Sequence, residues 1–212
     1  MEQKKVSDSF GFYAILTDPV RGYEYCTKLM VDYEIAFVQL RIKEAPYETI
    51  IKTAEKMRAI TLRTKTKLII NDYPDIAKKV NADGVHLGQT DMAYNEARKI
   101  VGENAIIGLS THNAFQTKNA CSLMPDYIGI GPVYATPTKK IPDPVIGING
   151  MKEMLCLATV PSVVIGGITL ENLLTVLENG AKNFCMVRPI TKSDNPEKVL
   201  RQILKIYYDF NS

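Results

Sequence analysis

The chain alternates between short runs of β-forming residues and longer helix-forming stretches, and this alternation repeats eight times. The predicted strands cover residues 13–17, 37–41, 68–72, 84–87, 106–110, 127–131, 162–166 and 184–187. The helix-forming stretches between them include residues 47–63, 95–101, 170–179 and 196–208. Strands that alternate with helices form a parallel sheet, and eight strands close such a sheet into a barrel. We therefore predict an α/β protein with one (β/α)8 TIM barrel domain over residues 1–212, with a doubly wound open sheet as the alternative.

Residues that start and stop helices stand at several predicted boundaries. Thr169 is predicted to cap the helix over residues 170–179, and the pair Asn179-Gly180 is predicted to end it. The run Asp194-Asn195-Pro196-Glu197 is predicted to cap the last helix, with proline in its first turn. Residues 1–11 precede the strands and are expected to form a flexible N-terminal extension.

The composition is that of an ordinary globular protein, with 46% hydrophobic and 23% charged residues. The net charge of +3 is small and the basic residues are spread along the chain, so we expect no nucleic-acid partner. The opening residues lack the apolar core of a signal peptide, and no run of about 18 apolar residues is present. We therefore expect a cytoplasmic protein with no membrane partner, and a homo-oligomer is compatible with the sequence.

The cysteines and histidines limit the kinds of metal site. The four cysteines are far apart, which excludes a paired zinc or redox motif, and we expect them to be reduced core residues: Cys26, Cys121, Cys156 and Cys185. His86 lies inside an apolar strand and His112 at an expected helix start, so both are interpreted as structural. With two histidines in the chain, a metal must be held mainly by oxygen, which favours magnesium.

Polar side chains follow nearly every predicted strand, at the carboxyl end where barrel enzymes carry their sites. Gln39, Arg41 and Lys43 alternate along an extended segment, so their side chains share one face and can converge on a ligand. Two cations and an amide suit a diphosphate. The alternative is a set of solvated rim residues.

Two aspartates follow neighbouring predicted strands. Asp72 ends the third strand and Asp91 comes shortly after the fourth. Neighbouring strands run about 5 Å apart, so both carboxylates can reach one magnesium ion that also binds a diphosphate. The alternative is that each aspartate caps the helix that follows it.

Two further segments suggest anion sites. The loop after the sixth strand contains Thr136, Thr138 and Lys139, which supply two hydroxyls and an ammonium group. The pair Gly166-Gly167 ends the seventh strand, where missing side chains allow a close backbone approach. The loops after strands seven and eight form the usual phosphate site of barrels. A tight turn is the alternative explanation for the glycine pair.

Together these segments resemble the thiamine phosphate synthase family. The matching runs follow the family's order and cover residues 39–43, 70–72, 82–91, 108–112, 126–133, 136–139 and 164–168. The resemblance implies a (β/α)8 barrel that joins hydroxymethylpyrimidine diphosphate to a thiazole phosphate, giving thiamine monophosphate and diphosphate. It also implies a dissociative reaction that needs no nucleophilic side chain, with Mg2+ as cofactor.

The resemblance also implies residue roles. The diphosphate would be held by Arg41, Lys43, Asn71, Ser110 and Lys139, and the magnesium by Asp72 and Asp91. Of these, the expected catalytic residues are Lys139, Ser110 and Arg41. Gln39 would contact the pyrimidine or its diphosphate. The thiazole phosphate would meet Thr136, Thr138, Gly167 and the backbone at Val187 and Arg188.

The chain departs from the family pattern at three places. Tyr73 stands where the family usually has arginine, and Ile42 where it usually has an acidic residue. The pair Arg188-Pro189 replaces small residues near the thiazole phosphate. A thiazole tautomerase-like barrel and a non-catalytic barrel that binds thiamine phosphates are the alternative functions. The retained diphosphate and metal residues favour the synthase.

Overall fold

Eight parallel strands close into a barrel in sequence order in the computed structural model, which describes residues 6–137 and 143–212. The strands are β1 Gly11–Leu16, β2 Phe37–Leu40, β3 Lys67–Asn71, β4 Gly84–Leu87, β5 Ile106–Thr111, β6 Tyr127–Ile130, β7 Ser162–Ile165 and β8 Asn183–Cys185. Each strand pairs with the next, and β8 pairs with β1. The predicted TIM barrel is therefore confirmed, and the open-sheet alternative is wrong.

Helices follow the strands and surround the barrel. They are α1 Tyr23–Asp32, α2 Tyr47–Thr61, α3 Pro74–Lys79, α4 Tyr94–Val101, α5 Ala114–Ser122, α6 Gly147–Leu157, α7 Leu173–Glu178, α8 Arg188–Thr191 and α9 Pro196–Asn211. The short helix α8 lies between β8 and α9, where many barrels place the extra helix of a phosphate site. No helix within the described residues is both long enough and apolar enough to cross a bilayer.

The core has two layers because side chains alternate across each strand. The inner layer fills the barrel with inward-facing residues such as Tyr13, Phe37, Ile69 and Tyr127. The outer layer packs the other strand face against the helices. Burial of both strand faces explains why the strands read as nearly continuous apolar runs.

One predicted helix cap is wrong. Helix α7 begins at Leu173, three residues after the predicted start, so Thr169 does not cap it. The Asn172 side chain accepts a hydrogen bond from the Thr169 amide at 2.8 Å and donates one to the Gly167 carbonyl at 3.0 Å. These local bonds hold the preceding segment as a turn, because an asparagine side chain competes with helical backbone bonding.

The other two predicted boundaries are confirmed. The Asn195 side chain caps α9 by accepting a hydrogen bond from the Lys198 amide at 3.1 Å, with Pro196 in the first turn. Helix α7 ends at the Asn179 cap, and Gly180 follows with a φ of 99°. This left-handed conformation is readily adopted by glycine.

The expected N-terminal extension is partly packed against the barrel. Of the expected N-terminal extension, Gly11 already belongs to β1, Val6 is buried, and the Phe10 ring packs edge-on against Phe37 at 4.8 Å. Residues 1–5 are outside the described part.

Three of the cysteines are free and buried as predicted, whereas Cys156 is exposed, which corrects its assignment to the core.

Candidate active site

A cavity of about 620 Å³ opens at the carboxyl ends of the strands. It is lined by most of the residues predicted from the sequence: Gln39, Arg41, Lys43, Asn71, Asp72, Asp91, Ser110, Thr136, Gly167, Val187 and Arg188. Thr138 and Lys139 lie outside the described residues, so their predicted roles remain predictions. The closed barrel brings these strand ends to one cavity from segments that are far apart in sequence.

Two carboxylates and one ammonium group stand together at the cavity rim. The carboxyl groups of Asp72 and Asp91 lie close enough to shift each other's pKa, and the Lys43 ammonium is paired with Asp72. Asp91 also accepts a hydrogen bond from the Gly88 amide at 2.6 Å. Asp72 itself has a φ of 68°, a strained conformation that tends to occur at ligand sites.

Burial and the neighbouring carboxyl group shift the acidity of this pair. Burial, and next the hydrogen bond with Asp91, raise the pKa of Asp72 to about 6. Burial also acts to raise the pKa of Asp91, but the hydrogen bonds with Asp72 and the Gly88 amide outweigh it and leave this pKa lowered. Two carboxyl groups in contact oppose each other's ionisation unless a cation is shared between them.

This donor set fits a hard divalent cation. Within the described residues, no group of three or more His, Cys, Asp or Glu side chains could hold a metal. Mg2+ is usually held by one or two carboxylates together with substrate phosphates and water. Asp72 and Asp91 therefore suit a magnesium ion that arrives with, or is completed by, a phosphorylated substrate.

Two hydrogen-bond donors beside the carboxylates, Arg41 and Asn71, have no side-chain partner among the described residues. Arg41 is half-buried and forms no ion pair with any residue of the described ranges. Burial lowers the pKa of Arg41, although the nearby Asp72, Asp18 and Asp91 carboxylates oppose that shift. The Nδ2 atom of Asn71 is buried and has no hydrogen-bond partner in the part of the chain that the structure describes. An unsatisfied buried donor is costly, and an anionic ligand in the cavity would satisfy both groups.

The inner wall of the cavity contains residues that sequence reasoning did not assign to the site. Tyr13 and Tyr127 line it, and their hydroxyl groups are 2.8 Å apart. His86 contacts Tyr127 through Nδ1 at 3.0 Å and Ser110 Oγ through Nε2 at 2.8 Å. The available signal was strand alternation, which places these side chains inside the barrel. The hydrogen-bond partners of these side chains lie on other strands, so strand alternation alone could not predict them.

His112 has a different environment from His86. Its Nδ1 donates to the Gly131 carbonyl at 2.6 Å, which ties the start of α5 to the loop after β6. Its Nε2 lies 3.5 Å from Asp143. His112 also lines the cavity, so its structural interpretation stays a prediction.

The glycine pair after β7 is explained by the loop after β6. A Cβ on Gly166 would lie 2.4 Å from the Pro132 Cα, and a Cβ on Gly167 would lie 2.6 Å from the Ala135 carbonyl oxygen. Both glycines also have positive φ values, 104° and 62°. The absent side chains therefore let two catalytic-face loops pack together, and the amide of Gly167 donates no hydrogen bond to a described residue.

The divergent pair Arg188-Pro189 lies beside this glycine turn and also lines the cavity. Arg188 is exposed and forms no ion pair within the residues described here. Pro189 stands in the first turn of α8, where an amide has no helical partner. The proline therefore costs α8 no hydrogen bond, and the arginine supplies a cation at this end of the cavity.

The sequence and the fold match proteins of one family. The family model described as thiamine monophosphate synthase matches residues 14–190. The thiamine-phosphate synthase of Caldicellulosiruptor bescii is 38% identical over 183 residues, which cover 86% of this chain and 84% of that protein. The thiamine-phosphate synthase of Caldicellulosiruptor saccharolyticus is 34% identical over 212 residues, covering 99% and 96%. The structure of thiamine phosphate pyrophosphorylase from Pyrococcus furiosus superimposes with a TM-score of 0.86 at 26% identity, covering 96% and 98%.

Proposed function

The chain belongs to the thiamine monophosphate synthase family, and on that premise we propose that it is a transferase that makes thiamine monophosphate. Its substrates are 4-amino-5-hydroxymethyl-2-methylpyrimidine diphosphate and 4-methyl-5-(2-phosphooxyethyl)thiazole. The observation that carries the proposal is the closeness of the Asp72 and Asp91 carboxyl groups. Beside them lie the Arg41 guanidinium, which has no ion pair among the described residues, and the Asn71 amide nitrogen, which has no hydrogen bond among them. Paired carboxylates next to free donors suit a magnesium-bound diphosphate.

The diphosphate end of the pyrimidine substrate lies among these groups. Arg41 offers paired, charge-assisted hydrogen bonds to phosphate oxygens, and Asn71 Nδ2 gains the acceptor that no described residue supplies. Lys43 and the Ser110 hydroxyl lie on the same cavity wall and complete the set. When bound, Mg2+ would neutralise negative charge on the diphosphate, and Asp72 and Asp91 are the residues that would hold it.

The reaction needs no nucleophilic side chain. The C–O bond between the pyrimidine methylene carbon and the diphosphate breaks, and its electron pair leaves on the diphosphate oxygen. The thiazole nitrogen then donates its lone pair to the methylene carbon and forms the C–N bond. The site contributes by holding two substrates in line and by stabilising the charge that grows on the leaving group. Arg41, Ser110 and Lys139 are assigned to that stabilisation.

The thiazole phosphate is assigned to the opposite end of the cavity. Thr136, Thr138 and the Gly167 amide are the donors proposed from the family resemblance, together with the backbone at Val187 and Arg188. Four of these residues line the cavity: Thr136, Gly167, Val187 and Arg188. The Arg188 side chain adds a charged donor, which is the distinctive feature of this chain at the thiazole phosphate.

A coupled assay tests the proposed function. The purified protein is mixed with both substrates and Mg2+, and thiamine monophosphate and released diphosphate are measured together. Equal amounts of both products support the synthase. Isomerisation of the thiazole without diphosphate release would support a tautomerase instead, and binding without turnover would support a non-catalytic barrel. The Asp91→Ala variant is the control for metal-dependent turnover.

A further inference from the structure

A chain of hydrogen bonds crosses the barrel interior and joins two parts of the cavity. The Gln39 amide nitrogen is 3.0 Å from the Tyr13 hydroxyl, which is 2.8 Å from the Tyr127 hydroxyl. Tyr127 is 3.0 Å from Nδ1 of His86, whose Nε2 is 2.8 Å from Ser110 Oγ. We call these five residues the interior relay. Both of its ends, Gln39 and Ser110, line the cavity.

The middle of the interior relay is buried and tightly packed. Tyr13 and Tyr127 are each no more than 2% exposed, and burial raises the pKa of both phenols, so each keeps its single proton. Tyr13 stacks on Phe37, and the His86 ring stacks on Tyr127 with centroids 5.5 Å apart. This packing fixes the distances between the polar atoms. The freedom that remains is the direction in which the protons point and the orientation of the Gln39 amide group.

With a neutral His86, proton counting leaves two self-consistent directions. In the first, the Gln39 amide donates to Tyr13, Tyr13 donates to Tyr127, Tyr127 donates to Nδ1 of His86, and His86 donates through Nε2–H to Ser110. The Ser110 hydroxyl proton and the Gln39 amide oxygen then face the cavity. In the second, every bond is reversed, so Ser110 offers a lone pair and Gln39 offers N–H. A mixed arrangement leaves a buried O–H without an acceptor, which is costly.

An anion at Ser110 selects between these directions. Phosphate oxygens accept hydrogen bonds, so Ser110 must donate its proton to them and can only accept from His86. Arg41, which forms no ion pair within residues 6–137 and 143–212, and the Asn71 amide make the neighbouring part of the cavity the place where an anion is stabilised. With a neutral His86, binding of the anion therefore imposes the first direction on every member of the interior relay.

We propose that Tyr13, Tyr127 and His86 are positioning residues, and that they couple anion binding at Ser110 to the choice of heterocycle at Gln39. With a diphosphate bound, Gln39 presents its amide oxygen, which within the described residues accepts no hydrogen bond. The cavity then prefers an aromatic ring that carries an amino group over one that carries an oxo group at the same position. The preference rests on the proposed function, because it assumes that the ring and the diphosphate belong to one substrate.

The protonation of His86 tests the direction of the interior relay without any turnover. Histidine labelled with nitrogen-15 is incorporated, and two-bond nitrogen–proton couplings report which ring nitrogen carries the proton. A His112→Gln variant assigns the signals, because the chain has two histidines. In the complex with inorganic pyrophosphate and Mg2+, we expect a neutral His86 with its proton on Nε2. A proton on Nδ1, or a charged ring, in that complex overturns the proposal.

Substitution of Tyr127 tests the coupling. Tyr127→Phe keeps the ring and removes the central hydroxyl, so Gln39 is no longer oriented by Ser110. Calorimetry compares the binding of the aminopyrimidine diphosphate with that of its 4-oxo analogue, without the thiazole. We expect the preference for the amino compound to fall about tenfold, the scale of one buried hydrogen bond. Tyr13→Phe should have the same effect. It takes the place of Tyr127→Phe in this test if Tyr127→Phe does not fold.

The matched control is Tyr33→Phe. It removes a hydroxyl that lies away from the cavity and donates a hydrogen bond of 2.8 Å to Glu197. It should leave the preference unchanged. An unchanged preference in folded Tyr127→Phe and Tyr13→Phe proteins contradicts the proposal. Because these measurements involve binding alone, a protein that shows the coupling but forms no thiamine monophosphate would refute the synthase function and leave the interior relay intact.

Discussion

Lys43 is paired with Asp72, so a predicted diphosphate ligand and a predicted magnesium ligand neutralise each other. This pairing arises because the segment after β2 lies beside the end of β3 in the barrel. For Lys43 to hold an anion, Asp72 must find another cation. Magnesium and diphosphate are therefore expected to bind cooperatively. Magnesium replaces Lys43 as the partner of Asp72, and diphosphate replaces Asp72 as the partner of Lys43.

The first prediction concerns Asp72 without magnesium. Asp72→Asn should tighten pyrophosphate binding about threefold to fivefold in buffer with a chelator, because Lys43 is released and a negative charge is removed. The same variant should lose synthase activity when Mg2+ is present. Calorimetry with inorganic pyrophosphate gives the first quantity, and Asp209→Asn on the outer surface is the control. Weaker pyrophosphate binding in the chelator would show that Asp72 does not restrain Lys43.

The second prediction is that turnover depends on both carboxylates. Asp72→Ala or Asp91→Ala should reduce kcat by roughly a hundredfold or more, because the leaving diphosphate loses the cation that they hold. The thermal unfolding temperature should change little, since both side chains lie at the cavity rim rather than in the core. Wild-type activity that survives exhaustive chelation would contradict a shared metal site.

The third prediction concerns Lys139, which is assigned to the developing charge on the diphosphate. Loss of a preorganised charge of this kind typically costs about 3 kcal/mol, or roughly a hundredfold in rate. Lys139→Ala should therefore lower kcat more than it raises KM for the thiazole phosphate. Steady-state kinetics with each substrate varied in turn separates the two effects. A change confined to the thiazole KM would assign Lys139 to thiazole binding.

The fourth prediction concerns Arg188, the exposed cation at the other end of the cavity. Arg188→Ser should weaken binding of the thiazole phosphate by about 1.5 to 3 kcal/mol, the scale of a hydrogen bond to a charged group. Binding of the pyrimidine diphosphate should be nearly unchanged. Arg201→Ser, in the exposed part of α9, controls for the loss of a surface charge. An unchanged thiazole phosphate affinity would show that Arg188 does not contact that substrate.

The fifth prediction concerns the contact between the loops after β6 and β7. Gly166→Ala should reduce the free energy of unfolding by about 2 to 4 kcal/mol, because the new Cβ meets the Pro132 backbone in a left-handed conformation. Gly102→Ala is the matched control, since Gly102 also has a positive φ but no described residue comes within 4 Å of its Cβ position. Denaturant unfolding measures both. Equal losses would mean that backbone conformation alone requires glycine at 166.

The barrel and most of its site could be predicted because they depend on local patterns. A run of apolar residues followed by Asp72 or by Ser110 marks a strand and its polar end, whatever the rest of the chain does. Once eight such strands form one parallel barrel, their carboxyl ends must meet on one face. The cavity residues Arg41, Asn71 and Asp91 follow from that rule and from the family resemblance.

Tertiary structure decided which of these groups contact each other. The sequence assigned Lys43 to the diphosphate, whereas the structure pairs its ammonium with Asp72, because neighbouring strands bring opposite charges together. His86 and Ser110 share a hydrogen bond because β4 and β5 run in register and both side chains point inward. Such pairings depend on distances between strands and on side-chain packing, which are not encoded in the spacing of residues along one strand. Sequence periodicity therefore determined where the site lies, and the three-dimensional packing determined how its residues act on one another.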